Sequence, residues 1–254
     1  MATESFTHEG LRLSFLDEGK RAAPVLLLVH GFASSMRVNW IEPGWVQTLT
    51  EAGYRVVAFD HRGHGASDKP QDPAAYTPHK MAADGFALLD HLGINSATFF
   101  GYSMGARISA FAALAEPARV ERVILGGLGI GLVEGVGDWD PIAEALRAPS
   151  LDDVSHPRGR MFRAFAERTN SDRLALAACI ETSRDELSED DVAKITQPVL
   201  IGVGTEDDIA GAPEPLAALM PRAEVFAIAK RDHMLAVGDR TFKKRVLAFL
   251  DEPV

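Results

Sequence analysis

One cysteine, Cys179, stands alone among 254 residues, so no disulfide can form within the chain. None is needed. A chain of this length buries roughly 70–75% of the surface that its unfolded form exposes. It has room for one large α/β domain, or for such a domain with an insert. Basic residues are outnumbered, with 26 Lys and Arg against 36 Asp and Glu, a formal net charge of −10. Such a balance repels phosphate backbones and argues against a nucleic-acid partner. The apolar run Val25–Val29 is far shorter than the about 20 residues that cross a bilayer. The first residues, Met1-Ala2-Thr3-Glu4-Ser5, have neither the basic nor the apolar region of a signal peptide. The expectation is a cytoplasmic protein without a membrane partner. Tyrosine is scarce as well: Tyr54, Tyr76 and Tyr102 are the only three.

What the chain does have is a serine between two glycines in a distinctive setting. Ala97–Tyr102 reads as a buried strand and Met104–Ala115 as a helix, with Gly101-Tyr102-Ser103-Met104-Gly105 at the junction. G-x-S-x-G at a strand-to-helix turn is a nucleophile elbow. Strand and helix pass closely there, and a side chain at either glycine would clash. The turn pushes the Ser103 hydroxyl into a cleft. The N–H groups that open the helix lie beside it, where they can bind a developing negative charge.

A serine needs a base to become a good nucleophile. Two later segments offer partners. Pro198–Gly204 reads as a buried strand followed by Thr205-Glu206-Asp207-Asp208, a turn with three carboxylates. Val225–Ile228 reads as another strand, followed by Lys230-Arg231-Asp232-His233. Serine, acid, histidine is one of the chain orders in which such a triad occurs. Upstream, Val25–Val29 runs into His30-Gly31-Phe32, a loop able to supply a further N–H to an oxyanion.

These elements resemble the α/β-hydrolase fold superfamily, in its serine-hydrolase, carboxylesterase-like form with a helical cap. The matching motifs are His30-Gly31-Phe32, Asp60-His61-Arg62-Gly63-His64-Gly65-Ala66-Ser67, the elbow at Ser103, the acid turn after Gly204 and the region of His233. The resemblance implies a mostly parallel twisted sheet flanked by helices. It implies Ser103, Asp207 and His233 as catalytic residues, since the acid in similar hydrolases commonly follows the strand-ending glycine by three positions. Asp208 is then left to the following turn. The backbone N–H groups of Phe32 and Met104 would form the oxyanion hole. His30 would shape its loop, and the segment Asp60–Ser67, despite the spacing of His61 and His64, would be structural. No metal and no cofactor are expected.

Residue types also narrow the reaction that the resemblance implies. Haloalkane dehalogenases and epoxide hydrolases carry an aspartate at the elbow, where this chain has Ser103. Epoxide hydrolases use cap tyrosines, and none of the three tyrosines falls in the cap expected here. Dehalogenases place a tryptophan after the nucleophile, where Met104 stands. The expected activity is therefore hydrolysis of a carboxylic ester, or of a thioester or lactone, through an acyl-enzyme. A carbon–carbon bond hydrolase of the ring-cleavage type is the enzymatic alternative. A hydrolase-fold ligand receptor with little turnover is the alternative outside catalysis. The partner expected is a small ester-like molecule, and the chain a monomer or homodimer.

The expected organisation is a core of residues 1–129 and 196–254 with a helical cap, 130–195, inserted in it. The strand pattern breaks after Gly126 and resumes at Val199. Gly127-x-Gly129-x-Gly131 reads as a flexible path into the cap, with no helix starting on it. Cap helices are expected at Pro141–Leu146, Arg158–Arg168, Ser171–Thr182 and Glu189–Lys194. Trp139, Met161, Phe162 and Phe165 are the candidate substrate-binding residues, the last three on one helical face. Arg158, Arg160, Arg163 and Arg168 read as a solvated face.

Overall fold

The computed structural model describes residues 2–253. Eight strands form one sheet in the order β1-β2-β4-β3-β5-β6-β7-β8. A hairpin, β1 (Glu4–His8) and β2 (Leu11–Glu18), makes the antiparallel edge and turns at Glu9-Gly10. The rest is parallel: β3 (Val25–Val29), β4 (Arg55–Phe59), β5 (Ala97–Tyr102), β6 (Val120–Gly126), β7 (Val199–Gly204) and β8 (Ala223–Ile228). This is the expected mostly parallel α/β-hydrolase sheet.

The central strands are largely apolar because both faces are covered. In β3, Leu27 and Val29 pack into one core, while Leu26 and Leu28 pack into the other. In β5, Phe99 takes the first face and Phe100 the second. One layer of helices holds α2 (Pro78–His91) and α3 (Met104–Ala115). The opposite layer holds α1 (Trp45–Glu51) and α11 (Arg240–Asp251). No helix among the described residues is long and apolar enough to cross a membrane.

Five helices lie between β6 and β7: α4 (Gly131–Glu134), α5 (Asp140–Arg147), α6 (Pro157–Arg168), α7 (Arg173–Thr182) and α8 (Glu189–Val192). Short α9 (Pro213–Leu219) and α10 (His233–Ala236) follow later. Two expectations for the insert need correction. The path Gly127–Gly131 is neither loose nor free of helix, because α4 starts at Gly131. Gly129 N–H donates to Ala210 O at 2.9 Å and Ile130 N–H to Ala212 O at 2.8 Å. A side chain at Gly129 would meet the Gly211 and Ala212 carbonyls, so these glycines serve close backbone approach.

The second correction concerns Arg163, which is buried. Its guanidinium donates to Ala145 O at 2.7 Å and Ala148 O at 2.8 Å, and pairs with Glu167 at 2.6 Å. The last carbonyls of a helix lack partners of their own, and Arg163 supplies them for α5. A charge count along α6 cannot see this tie. Arg160 and Arg168 do sit on an exposed face.

Candidate active site

Ser103 sits between β5 and α3 with φ 55° and ψ −113°, a backbone shape that L residues rarely adopt. The two glycines of the motif permit it. A side chain on Gly101 would strike the Gly105 carbonyl, and one on Gly105 would strike Val29 O. The strained turn is thus bracketed by two contacts that only glycine allows.

Ser103 Oγ lies 2.9 Å from His233 Nε2, and His233 Nδ1 lies 2.8 Å from Asp207 Oδ2. Asp232 prepares the histidine's position. Its carboxylate caps α10 by accepting from Met234 N–H at 3.0 Å and Leu235 N–H at 2.8 Å, which fixes where the helix beginning with His233 starts. Asp207 is held from its other oxygen. Oδ1 accepts from Ile209 N–H and Ala210 N–H, both at 2.9 Å. Burial raises the Asp207 pKa, but His233 and the two N–H groups outweigh it, and the carboxyl lies below its usual range. Asp208 is exposed and stands apart from the imidazole.

The loop after β3 runs past the serine. Gly31 N–H donates to Asn39 Oδ1 at 2.8 Å, and Ala33, at φ 57°, donates its N–H to His64 Nε2 at 3.2 Å. His30 Nε2 accepts from His61 N–H at 3.0 Å, while its Nδ1 donates to Gly31 O at 2.8 Å. Asp60 ties the neighbouring loops by accepting from Met36 and Ala66 N–H, each at 2.8 Å. The histidines of both motifs thus shape the loop and are far from a base's role. Between these anchors, the N–H groups of Phe32 and of Met104 have no acceptor within the described residues.

Two spaces meet at Ser103. An inner cavity of about 40 Å³ is lined by Ser103, Met104, Trp139, Ser183, Arg184 and Ile180, among others. An outer cleft of about 500 Å³ is lined by Ser103, His233, Phe165, Leu235, Val38 and Pro43, among others. Phe32 and Phe162 border both, with ring centroids 5.6 Å apart. Among the candidate binding residues, Trp139 and Phe162 therefore line the inner cavity and Phe165 the cleft. Met161 does not belong with them: it is 40% exposed and lines neither space. One residue of a helix advances the side chain by about 100°, so a step from Phe162 carries Met161 off the inward face.

A family model described as the alpha/beta hydrolase fold matches residues 24–154, just over half of the chain. The chain belongs to the α/β-hydrolase fold family. Epoxide hydrolase A of Mycobacterium tuberculosis is 36% identical over 121 residues, 43% of this chain but only 37% of that relative's length. 3-oxoadipate enol-lactonase 2 of Acinetobacter baylyi is 26% identical over 222 residues, 81% of this chain and 80% of the relative. The solved structure of a hydrolase from Pseudomonas aeruginosa PA01 superposes with a TM-score of 0.83 at 26% identity, covering 98% of both chains. Together they agree with the α/β-hydrolase fold family, while the named activities of these relatives differ among themselves.

Three further residues, not singled out in the sequence, stand at the cavity beside the serine. Arg184 and Ser183 follow α7 and line the inner cavity, and Arg107 reaches the cavity from α3. They carry no periodic signal, and only folding brings them to one wall. Tyr102 was also missed, although it precedes the serine directly.

Proposed function

We propose that this protein is a serine hydrolase that cleaves carboxylic esters or lactones through an acyl-enzyme. The observation that carries the reading is the hydrogen-bonded series Ser103 Oγ–His233 Nε2–Asp207 at 2.9 and 2.8 Å, presented on a strained elbow. His233 takes the serine proton as Ser103 attacks the acyl carbon. Asp207 keeps Nδ1 protonated and stabilises the imidazolium that forms. The N–H groups of Phe32 and Met104 bind the oxyanion, a contact worth on the order of 3–4 kcal/mol per donor in comparable sites. The leaving oxygen takes the proton back from His233. Water, deprotonated by the same imidazole, then releases the acid.

The position of His233 also supports a division of the substrate. The imidazole borders the outer cleft and is absent from the walls of the inner cavity. A leaving group that takes its proton from Nε2 belongs on that side, so the alcohol part occupies the cleft and the acyl part the inner cavity. The inserted helices, residues 130–195, act as a cap that shapes both spaces and contributes none of the three reacting side chains. A serine at the elbow, and the absence of tyrosine from the insert, speak for ester chemistry and against the epoxide reaction named for one relative.

Steady-state hydrolysis of p-nitrophenyl acetate tests the reading. Sustained multiple turnover by the wild type and its loss in Ser103→Ala, with an unchanged circular dichroism spectrum, are expected. Turnover at the wild-type rate in the variant would exclude the serine mechanism. A single slow burst that leaves a persistent adduct would mark a ligand receptor instead.

A further inference from the structure

The inner cavity presents hydrogen-bond donors and no carboxylate. The Trp139 indole Nε1 is buried without a partner among the described residues. The Ser183 hydroxyl is buried with no oxygen or nitrogen partner, only the weak thiol of Cys179 beside it. Arg184 is partly buried, lies over the Trp139 ring, and makes no hydrogen bond or ion pair among the described residues. All three line the same cavity as Ser103 and Met104, and no Asp or Glu does. A buried polar group without a partner costs about 1–3 kcal/mol, and two of them, Trp139 Nε1 and Ser183 Oγ, meet at this wall, a gap in pairing beside a guanidinium that makes no hydrogen bond among the described residues.

Nearby charges deepen the gap. Burial, then the cations Arg107 and Arg158, push the Arg184 pKa down, although a guanidinium stays protonated near neutral pH. Arg107 cannot be the acceptor's partner in full, because it is committed to backbone carbonyls: Gly131 O and Asp185 O, both at 2.7 Å, and Leu132 O at 3.3 Å. Arg158 is likewise engaged, donating to Val136 O at 3.0 Å. Exposed Glu186 acts favourably on the Arg184 charge from a distance but forms no ion pair with it among the described residues.

Resting on the acyl-enzyme reading above, we infer that Arg184, with Trp139 Nε1 and the Ser183 hydroxyl, binds a carboxylate at the far end of the substrate's acyl group. The preferred substrate class is then a half-ester of a short dicarboxylic acid, or a lactone whose acyl chain carries a free carboxylate. A carboxylate has the acceptor lone pairs to satisfy all three donors, and its charge complements a guanidinium that makes no ion pair among the described residues. A purely apolar acyl chain would leave all three groups unpaired. Val136, Trp139, Ile180 and Arg184 also border an outer pocket of about 240 Å³, but Asp138, Asp140, Glu181 and Glu186 line that pocket too. Their charge keeps the carboxylate end on the inner side of Arg184, where no Asp or Glu stands.

The experiment compares monomethyl glutarate with dimethyl glutarate, which share a carbon chain and differ in one charge. The wild type is expected to prefer the half-ester in kcat/KM. Arg184→Met should lower the ratio of the two kcat/KM values by about 10- to 100-fold, and Arg184→Lys should restore part of it. Calorimetry on Ser103→Ala gives a reading that needs no turnover. Monomethyl glutarate should bind, and adding Arg184→Met should weaken binding by a similar factor. A ratio and a binding constant that ignore Arg184 would overturn the carboxylate site while leaving ester hydrolysis intact. No hydrolysis of either ester, with Arg184-dependent binding preserved, would overturn the reaction and keep the site.

Discussion

Tyr102 donates its phenolic O–H to the backbone carbonyl of His233 at 2.6 Å, so the residue before the elbow serine holds the residue that faces it. The two rings also pack, with centroids 5.6 Å apart. One end of β5 therefore positions both partners of the 2.9 Å contact. Tyr102→Phe removes the bond and leaves a buried carbonyl unpaired, at a cost of about 1–3 kcal/mol. The expected outcome is a lower Tm together with a fall in kcat of roughly tenfold, as His233 loses its fixed distance. Equal kcat in a destabilised variant would show that Tyr102 supports the fold alone.

Asp207 and Asp208 are neighbours in sequence with different duties. Asp207→Asn keeps an oxygen for the Ile209 and Ala210 N–H groups but leaves His233 in the wrong tautomer. In a serine protease the corresponding change costs about 10⁴-fold in kcat, and a loss of that order is expected here. Asp208→Asn alters an exposed carboxylate and should change kcat less than about threefold. Steady-state kinetics of the two variants on one ester compares them directly. A larger loss at Asp208 contradicts the assignment.

The histidines around the oxyanion loop set an acid limit. Burial pushes His30 down to about 4 and His64 to about 3, and lowers His61 well below its ordinary 6.5. Above that ordinary value all three are neutral whether the chain is folded or not, and their contribution is complete. As pH falls below it, the unfolded chain binds protons that the folded chain refuses, so stability drops until the folded values are reached. Between pH 7 and pH 5 the loss is about 2 kcal/mol per buried histidine. Urea unfolding at the two pH values measures it. A flat profile would contradict neutral burial of the three rings.

How far the sequence reveals this site depends on how local each signal is. The elbow was legible to the residue, Ala97–Tyr102 and Met104–Ala115, because glycine spacing, an apolar strand and a helix start are all short-range. Asp207 needed the strand-ending Gly204 as a ruler. Of the wall formed by Trp139, Ser183 and Arg184, only Trp139 was legible: it precedes α5, the other two follow α7, and nothing periodic links them to it. Arg163 was misread for a related reason, since its acceptors, Ala145 O and Ala148 O, lie on another helix.

Phe162 borders both spaces at the serine and Phe165 only the cleft, so their truncation should have separable effects. Phe165→Ala enlarges the side that receives the alcohol and should shift preference toward bulkier alcohols, with little change in acyl preference. Phe162→Ala should alter both. The readout is kcat/KM over two ester series, one varied in alcohol and one in acyl chain. Flat profiles in both series would mean that these rings only pack the insert against the core.

Mapping the site of covalent modification tests the central claim most directly. The chain is treated with a fluorophosphonate, digested, and the adduct located by mass spectrometry. The account predicts one adduct, on Ser103, formed together with loss of activity, and strongly slowed in His233→Ala. An adduct on another residue, or full activity in a protein fully modified at Ser103, would contradict it.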